Sequence, residues 1–192
     1  MSEVFIREEA GLHLDRAVKI LSGTGYYGWR NLNRALRSAA ERAAKSGETQ
    51  AGRFASQRYM ISQSGFKSHV HTKAVVRGGQ SNGGDVSVEI SFAGSVIPLI
   101  SFSTKFSRNG GIQTTVKRGG GGTLSHAFIP ENMKLGVYER LTSARFPIEQ
   151  KYGPSAAHMM MEPEVVQNME KHMVGVFNQR IEHEITRILN GW

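Results

Sequence analysis

The sequence predicts an α+β fold: a curved, mainly antiparallel sheet packed with two N-terminal helices and one long C-terminal helix. Three observations carry that expectation. Leu32, Ala35, Leu36, Ala39 and Ala43 recur at helical spacing. Val86, Val88, Ile90 and Phe92 alternate with Ser87, Glu89 and Ser91, the clearest period of two in the chain. From Pro163 onward, Val166, Met169, Met173, Val176, Phe177, Ile181, Ile185, Ile188 and Leu189 form an apolar stripe.

Residues 1–30 read as an N-terminal arm that a partner would order, and residues 31–192 as a single α+β domain. Within the arm, Leu12, Leu14, Val18 and Leu21 suit either a short strand or a short helix. Tyr26, Tyr27 and Trp29 beside Arg30 suit either docking on a partner or filling a local core. The first helix starts near Asn31 or Asn33, either of which can cap it. Gly47 is expected to interrupt or bend it before a second helical stretch, from Thr49 to Met60, that carries Phe54 and Tyr59.

The middle of the chain is a β region. After the Val86–Phe92 strand, Gly94 and Ser95 precede a second strand, Val96 to Ser103. Pro98 cannot donate to a ladder, so that strand belongs at an edge or a bulge. A polar loop, Thr104 to Gly111, leads to the alternation Ile112, Thr114, Val116. Shorter strands are expected near Ala127–Ile129, Gly136–Glu139 and Ile148–Lys151, and hairpin-length connections make the sheet antiparallel. Pro163 suits a helical first turn, with Glu162 and Glu164 favourable to the dipole. A helix continuing to Leu189 would be about 40 Å long at about 1.5 Å per residue, although Gly175 allows a bend. That exceeds what a small sheet needs for cover, so part of the stripe is expected to pack between subunits.

The segment Ala144-Arg145-Phe146-Pro147-Ile148-Glu149-Gln150-Lys151-Tyr152-Gly153-Pro154-Ser155 is the most informative. Its prolines keep most of it from being helical, and Pro147 holds Phe146 extended. Phe146, Ile148 and Tyr152 are too apolar for a solvated linker. The segment reads as a short edge strand, ended by Gly153-Pro154, and an ordered turn leading into a Met-rich helical region. It carries no nucleophile with a base and no metal-ligand spacing. A rigid, apolar, inert segment fits an assembly surface better than an active site. The run Met159-Met160-Met161 adds adaptable apolar surface, since neither a helix nor a strand can bury all three on one face. The expected subunit or partner interface is therefore Pro98, Phe146, Pro147, Ile148, Tyr152, Pro154, Met159, Met160 and Phe177.

Composition narrows the classes. An apolar fraction of 39% and a charged fraction of 21% argue against wholesale disorder. The absence of cysteine excludes disulfides and thiolate chemistry. No apolar run approaches the roughly 18 residues needed to span a bilayer, and no cleavable signal pattern is visible, so a soluble protein made in a cytoplasm is expected. The net charge of +8 is uneven: Arg16 to Arg77 holds twelve Lys/Arg against two Glu, while the chain from Pro147 onward holds four against six. Such a basic region can bind phosphate backbones, meet an acidic protein, or simply be a solvated helical face. Arg34, Arg37, Arg42, Lys45, Lys117 and Arg118 are the candidate contacts to DNA or an acidic partner.

Candidate chemistry is weak throughout. His69 and His71 share a face only if their segment is a strand, and no third ligand follows at a recognisable spacing. His183-Glu184 is followed by Arg187 where a zincin helix needs a second His. His126 and His158 stand alone, and Ser125-His126 lacks the glycines of a nucleophile elbow. Gly119 to Gly122 after Lys117-Arg118 lacks the Gly-Lys-Ser/Thr ending of a phosphate loop and reads as a flexible basic hairpin tip. No enzyme activity, metal or cofactor is expected.

The Ala144–Ser155 block resembles the minor tail protein Z family of tailed bacteriophages and prophages, the tail completion proteins. Other pieces follow in the family's order: Asn33-Arg34-Ala35-Leu36 to Ala44, Ile97-Pro98-Leu99-Ile100-Ser101-Phe102, Val116-Lys117-Arg118-Gly119 to Gly122, His126-Ala127-Phe128-Ile129, and Arg180-Ile181-Glu182-His183-Glu184-Ile185. The resemblance runs from Asn31 to Gly191. The run His158-Met159-Met160-Met161 and the Gly78 to Gly84 loop are particular to this chain. The resemblance implies a structural protein of the virion, in the tail or neck, made in the host bacterial cytoplasm. It would form a ring, a hexamer by the tail's sixfold symmetry, that lets the finished tail join the head. The implied partners are further copies of itself, a tail terminator or tail tube protein, head-completion or connector proteins, and DNA in the channel; no membrane is involved. A basic DNA-binding protein acting through residues 16–77 is the alternative.

Overall fold

A computed structural model of the chain describes residues 3–8, 16–20, 26–77, 86–108, 110–131 and 135–190. The expectations for Leu12, Leu14, Leu21, the side chains of Tyr26 and Tyr27, and the Gly78–Gly84 loop lie outside the described residues. The fold is α+β, and the strand pairings with a described register are antiparallel. Instead of one curved sheet, the strands divide among four small ones. The chain separates into two compact units, one drawn from residues 3–50, 71–93 and 162–190, the other from residues 51–70 and 94–161.

In the first unit, strands β1 (Glu3–Glu8), β2 (Val70–Arg77) and β3 (Ser87–Gly94) form a sheet in the order β1-β3-β2. The alternation seen in the sequence puts Val88, Ile90 and Phe92 on the buried face of β3. A helical turn over residues 16–20 (α1) precedes helix α2, Tyr26–Arg58, whose first 25 residues belong to this unit. Helix α5, Pro163–Leu189, buries Val165, Met169, Met173, Phe177, Ile181 and Ile185, in steps of four.

Gly47 does not divide α2. The helix runs on through it, and the two expected helical stretches are one. Asn31 and Asn33 accordingly sit inside the helix and not at its cap. A Cβ on Gly47 would lie 2.3 Å from Met173 Sδ and 3.0 Å from Phe92 Cζ, so the glycine marks where α2, α5 and β3 meet. Ala35, Ala39, Ala40 and Ala43 extend the same close-packed stripe. Polar links tie the helices at two further levels: Ser38 Oγ donates to Glu184 Oε1 at 3.0 Å, and Ser46 Oγ lies 2.8 Å from His172 Nε2, with Gln50 Nε2 3.3 Å from the same nitrogen. As residue number rises along α2 it falls along α5, so the pair is antiparallel.

The second unit holds β4 (Val96–Pro98), a 3₁₀ turn (Leu99–Ser101), β5 (Ser103–Phe106), β6 (Ile112–Thr115), β7 (Gly122–Leu124), β8 (Ala127–Phe128), β9 (Tyr138–Arg140), β10 (Ile148–Gln150) and β11 (Tyr152–Ser155). Two short helices, α3 (Gln63–Lys67) and α4 (Ala156–Met160), belong with them. β5-β6-β7 and β8-β9-β10 are three-stranded meanders, and β4 pairs with β11 alone. The single strand expected over Val96–Ser103 is broken: Pro98 leads into the 3₁₀ turn, which Phe102 N–H closes on the Leu99 carbonyl at 3.2 Å. β5 then extends to Phe106, which shortens the polar loop that follows.

Candidate functional site

The block from Phe146 to Ser155 becomes two successive short strands. Ile148, Glu149 and Gln150 pair with Arg140, Glu139 and Tyr138 of β9. Lys151 is the hinge: its N–H donates to the Val137 carbonyl at 2.8 Å, and its own carbonyl accepts from Leu99 N–H at 3.0 Å. Its ammonium lies 2.9 Å from both Glu149 and Glu139. Hydrogen bonding to Glu149 first, and then to Glu139, raises the Lys151 pKa above its ordinary value.

Gly153-Pro154 does not end the strand as expected. β11 continues through it because only Tyr152 and Ser155 pair with β4, opposite Pro98 and Val96, and the ladder is bulged between them. A bulge is where a residue without an N–H is tolerated. Gly153 is needed there as well, since a Cβ would stand 2.5 Å from the Phe102 ring. Pro98 sits on a two-stranded pair, in keeping with its expected edge position. Ser155 Oγ then caps α4 by accepting from His158 N–H at 3.1 Å.

Tyr152, on the paired strand β11, is 50% exposed, and Phe146, just before β10, is 59% exposed. Pro147 is exposed beside a cis peptide bond, and Ile148 and Pro154 are half-buried. Three expected interface residues are corrected. Met159 and Met160 are 3% and 1% exposed, because the short helix α4 buries both and leaves Met161 outside. Phe177 is 6% exposed, one of the buried residues of α5.

Sequence reading missed several exposed apolar groups: Val96, Phe106, Leu135 and Leu141. It also missed a cluster on the β8-β9-β10 sheet. There the Arg140 guanidinium carbon lies 4.7 Å from the centre of the Phe128 ring, and Arg145 lies 5.8 Å from that of Phe146. Phe128, Phe146 and Ile148 line a groove of about 430 Å³. The only signal for this cluster in the sequence was the apolar content of the strands. Which arginine meets which ring depends on cross-strand register.

Of the candidate basic contacts, Arg34, Arg37, Arg42 and Lys45 are exposed on α2. Lys117 is exposed after β6 in an antiparallel bridge with Tyr59, and hydrogen bonds tie the turn that follows it. Gly119, at φ +79°, lets Gly120 N–H close on the Lys117 carbonyl, and the Arg118 side chain donates to the Ser56 carbonyl at 2.9 and 3.2 Å. Arg118 N–H also donates to the Arg58 carbonyl at 2.9 Å. Arg118 thus satisfies carbonyls of the last turn of α2, where a cation also suits the dipole.

His71 is exposed on β2, while His69 lies 2.9 Å from the Gly65 carbonyl through Nδ1. Among the described residues, no group of three His, Asp or Glu side chains is placed to hold a metal ion, and no helix is long and apolar enough to cross a membrane. Glu184, adjacent to the failed zincin signal, is a buried carboxylate held by Ser38 and by Arg187 Nη2 at 2.8 Å. The chain matches no protein-family model, and comparison with curated proteins and with solved structures likewise gives no match.

Proposed function

We propose that this chain is a structural protein of a tailed phage or prophage, acting at the head-proximal end of the tail. Copies assemble into a ring, of six by the tail's symmetry, that lets the finished tail join the head. The observation that carries the reading is the surface of the short strands. Tyr152 and Val96 are large side chains held in solvent on the paired backbone of β11 and β4, apolar area that a partner would bury. Among the described residues, the large, strongly exposed apolar side chains other than Leu189 lie within residues 94–161. Head-to-tail contacts between copies close such a ring, leaving separate surfaces for tail and head-completion proteins. Electron microscopy of purified neck complexes tests this: rings containing the chain are expected, and a strictly monomeric protein absent from purified virions overturns it.

One observation favours a second reading, DNA binding: Arg30, Arg34, Arg37 and Lys45 are exposed along one side of α2 at helical spacing. A filter-binding salt titration separates the two. DNA binding requires affinity to fall with salt at a slope of about −0.9 per phosphate contacted.

A further inference from the structure

We infer that the exposed face of the β8-β9-β10 sheet receives an acidic, extended peptide segment of a partner protein that carries one bulky apolar side chain. The inference rests on the partner-binding reading above and names the chemistry of one partner. It begins with register. Ile148 stands opposite Arg140 and Phe128 opposite Tyr138, so Phe128, Tyr138, Arg140 and Ile148 share one face of the sheet. Tyr138 is buried at one end of that face, and Arg140 is exposed at the other. The opposite face carries Glu139 and Glu149, which share the single ammonium of Lys151.

Arg140 lies over Phe128 and forms a ridge between two grooves. On one side is a groove of about 430 Å³ of mixed character, with Phe146, Ile148 and Pro130 in its walls beside Arg145 and Glu131. On the other side is a polar groove of about 550 Å³, where Ser125, His126, Thr142 and Ser143 gather around the same arginine. A guanidinium stacked on a ring keeps its N–H edges free for a carboxylate, and it does so bidentately. Among the described residues, Arg140 and Arg145 pair with no carboxylate, and Glu131 is the one acid in either groove wall. The ridge is therefore net positive. A chain crossing it can place an apolar side chain in one groove and a carboxylate against Arg140, within reach of hydroxyl donors, in the other.

A nucleic acid fits less well. Single-strand binding needs open aromatic faces for bases to stack on. Here Arg140 lies over the half-buried Phe128 ring, so of the two phenylalanines in the groove walls Phe146 alone offers an exposed platform, too few for successive bases.

The test uses the full chain and a fluorescein-labelled Gly/Ser-based peptide of about twelve residues bearing three Glu around one Phe, followed by fluorescence anisotropy. Saturable binding is expected, weakened about tenfold when the Glu residues are replaced by Gln and again when the Phe is replaced by Ser. Arg140→Gln, and separately Arg145→Gln in the adjoining exposed loop, each weaken binding about fivefold or more with an unchanged circular dichroism spectrum. Absence of binding by the parent protein overturns the inference. So does a Gln peptide bound within about twofold of the Glu peptide, parent-like affinity in both arginine variants, or tighter binding of an oligothymidylate of about twelve nucleotides. Mass photometry of the same samples keeps the two readings apart. Rings without peptide binding overturn the groove and leave the tail reading standing, whereas peptide binding by a strictly monomeric protein supports the groove and counts against the ring.

Discussion

Exchanging glycine for alanine at two positions in the paired helices should move stability in opposite directions. In an open helical position the change gains about 0.8–1.0 kcal/mol, because alanine restricts the unfolded chain and favours the helix. Gly175, exposed on α5 with no atom within 4 Å of where a Cβ would stand, is such a case, so Gly175→Ala should stabilise by about that amount. At Gly47 the new methyl would meet Met173 Sδ at 2.3 Å, Met173 Cγ at 2.8 Å and Phe92 Cζ at 3.0 Å. Met173 and Phe92 are both buried, so the methyl overpacks a filled site at about 1–3 kcal/mol. Set against the same helical gain, Gly47→Ala should destabilise by about 1 kcal/mol. Urea unfolding followed by circular dichroism at a helix-sensitive wavelength reads both variants. Thermal midpoints should separate by about 4–8 °C if the two effects differ by about 2 kcal/mol. In a Met173→Ala background the two closest contacts are gone and only Phe92 Cζ stays tight, so Gly47→Ala should lose most of its cost, a coupling expected of residues in contact. A rise in midpoint for Gly47→Ala in the parent protein would refute the packing argument.

Tyr152→Ala should change stability by less than about 0.5 kcal/mol, as at exposed sites generally, yet impair ring assembly in scattering measurements; global unfolding would place Tyr152 in the core instead. Met160→Ala, by contrast, empties a buried site and should cost about 2–5 kcal/mol in denaturant unfolding. The Lys151 pKa is raised in the fold, so its contribution is fully present below the ordinary value of 10.5 and is lost as pH climbs through the raised folded value. In Lys151→Met, the decline in unfolding midpoint above about pH 10 should be shallower than in the parent.

What was legible in the sequence was periodic. The alternation of Val88, Ile90 and Phe92 and the stripe of α5 specify their elements because one face of each must be buried. Misreadings fell where tertiary context decides. Gly47 looks like punctuation, but a helix can run through a glycine when another side chain needs the space, and Met173 lies more than a hundred residues away in sequence. Gly153-Pro154 looks like a strand end, yet the bulge opposite β4 accommodates both residues. Three consecutive methionines could not all be buried, as expected, but which two were buried depended on the orientation of α4. The Arg140–Phe128 contact was hidden because it joins two strands whose register no local pattern declares.

Mass spectrometry and electron microscopy of purified neck complexes from particles encoding this chain bear most directly on the proposed role. The chain is expected within a closed ring at the head-proximal end of the tail, with Tyr152 and Val96 covered by a neighbour. A chain missing from intact particles and strictly monomeric when purified would contradict it.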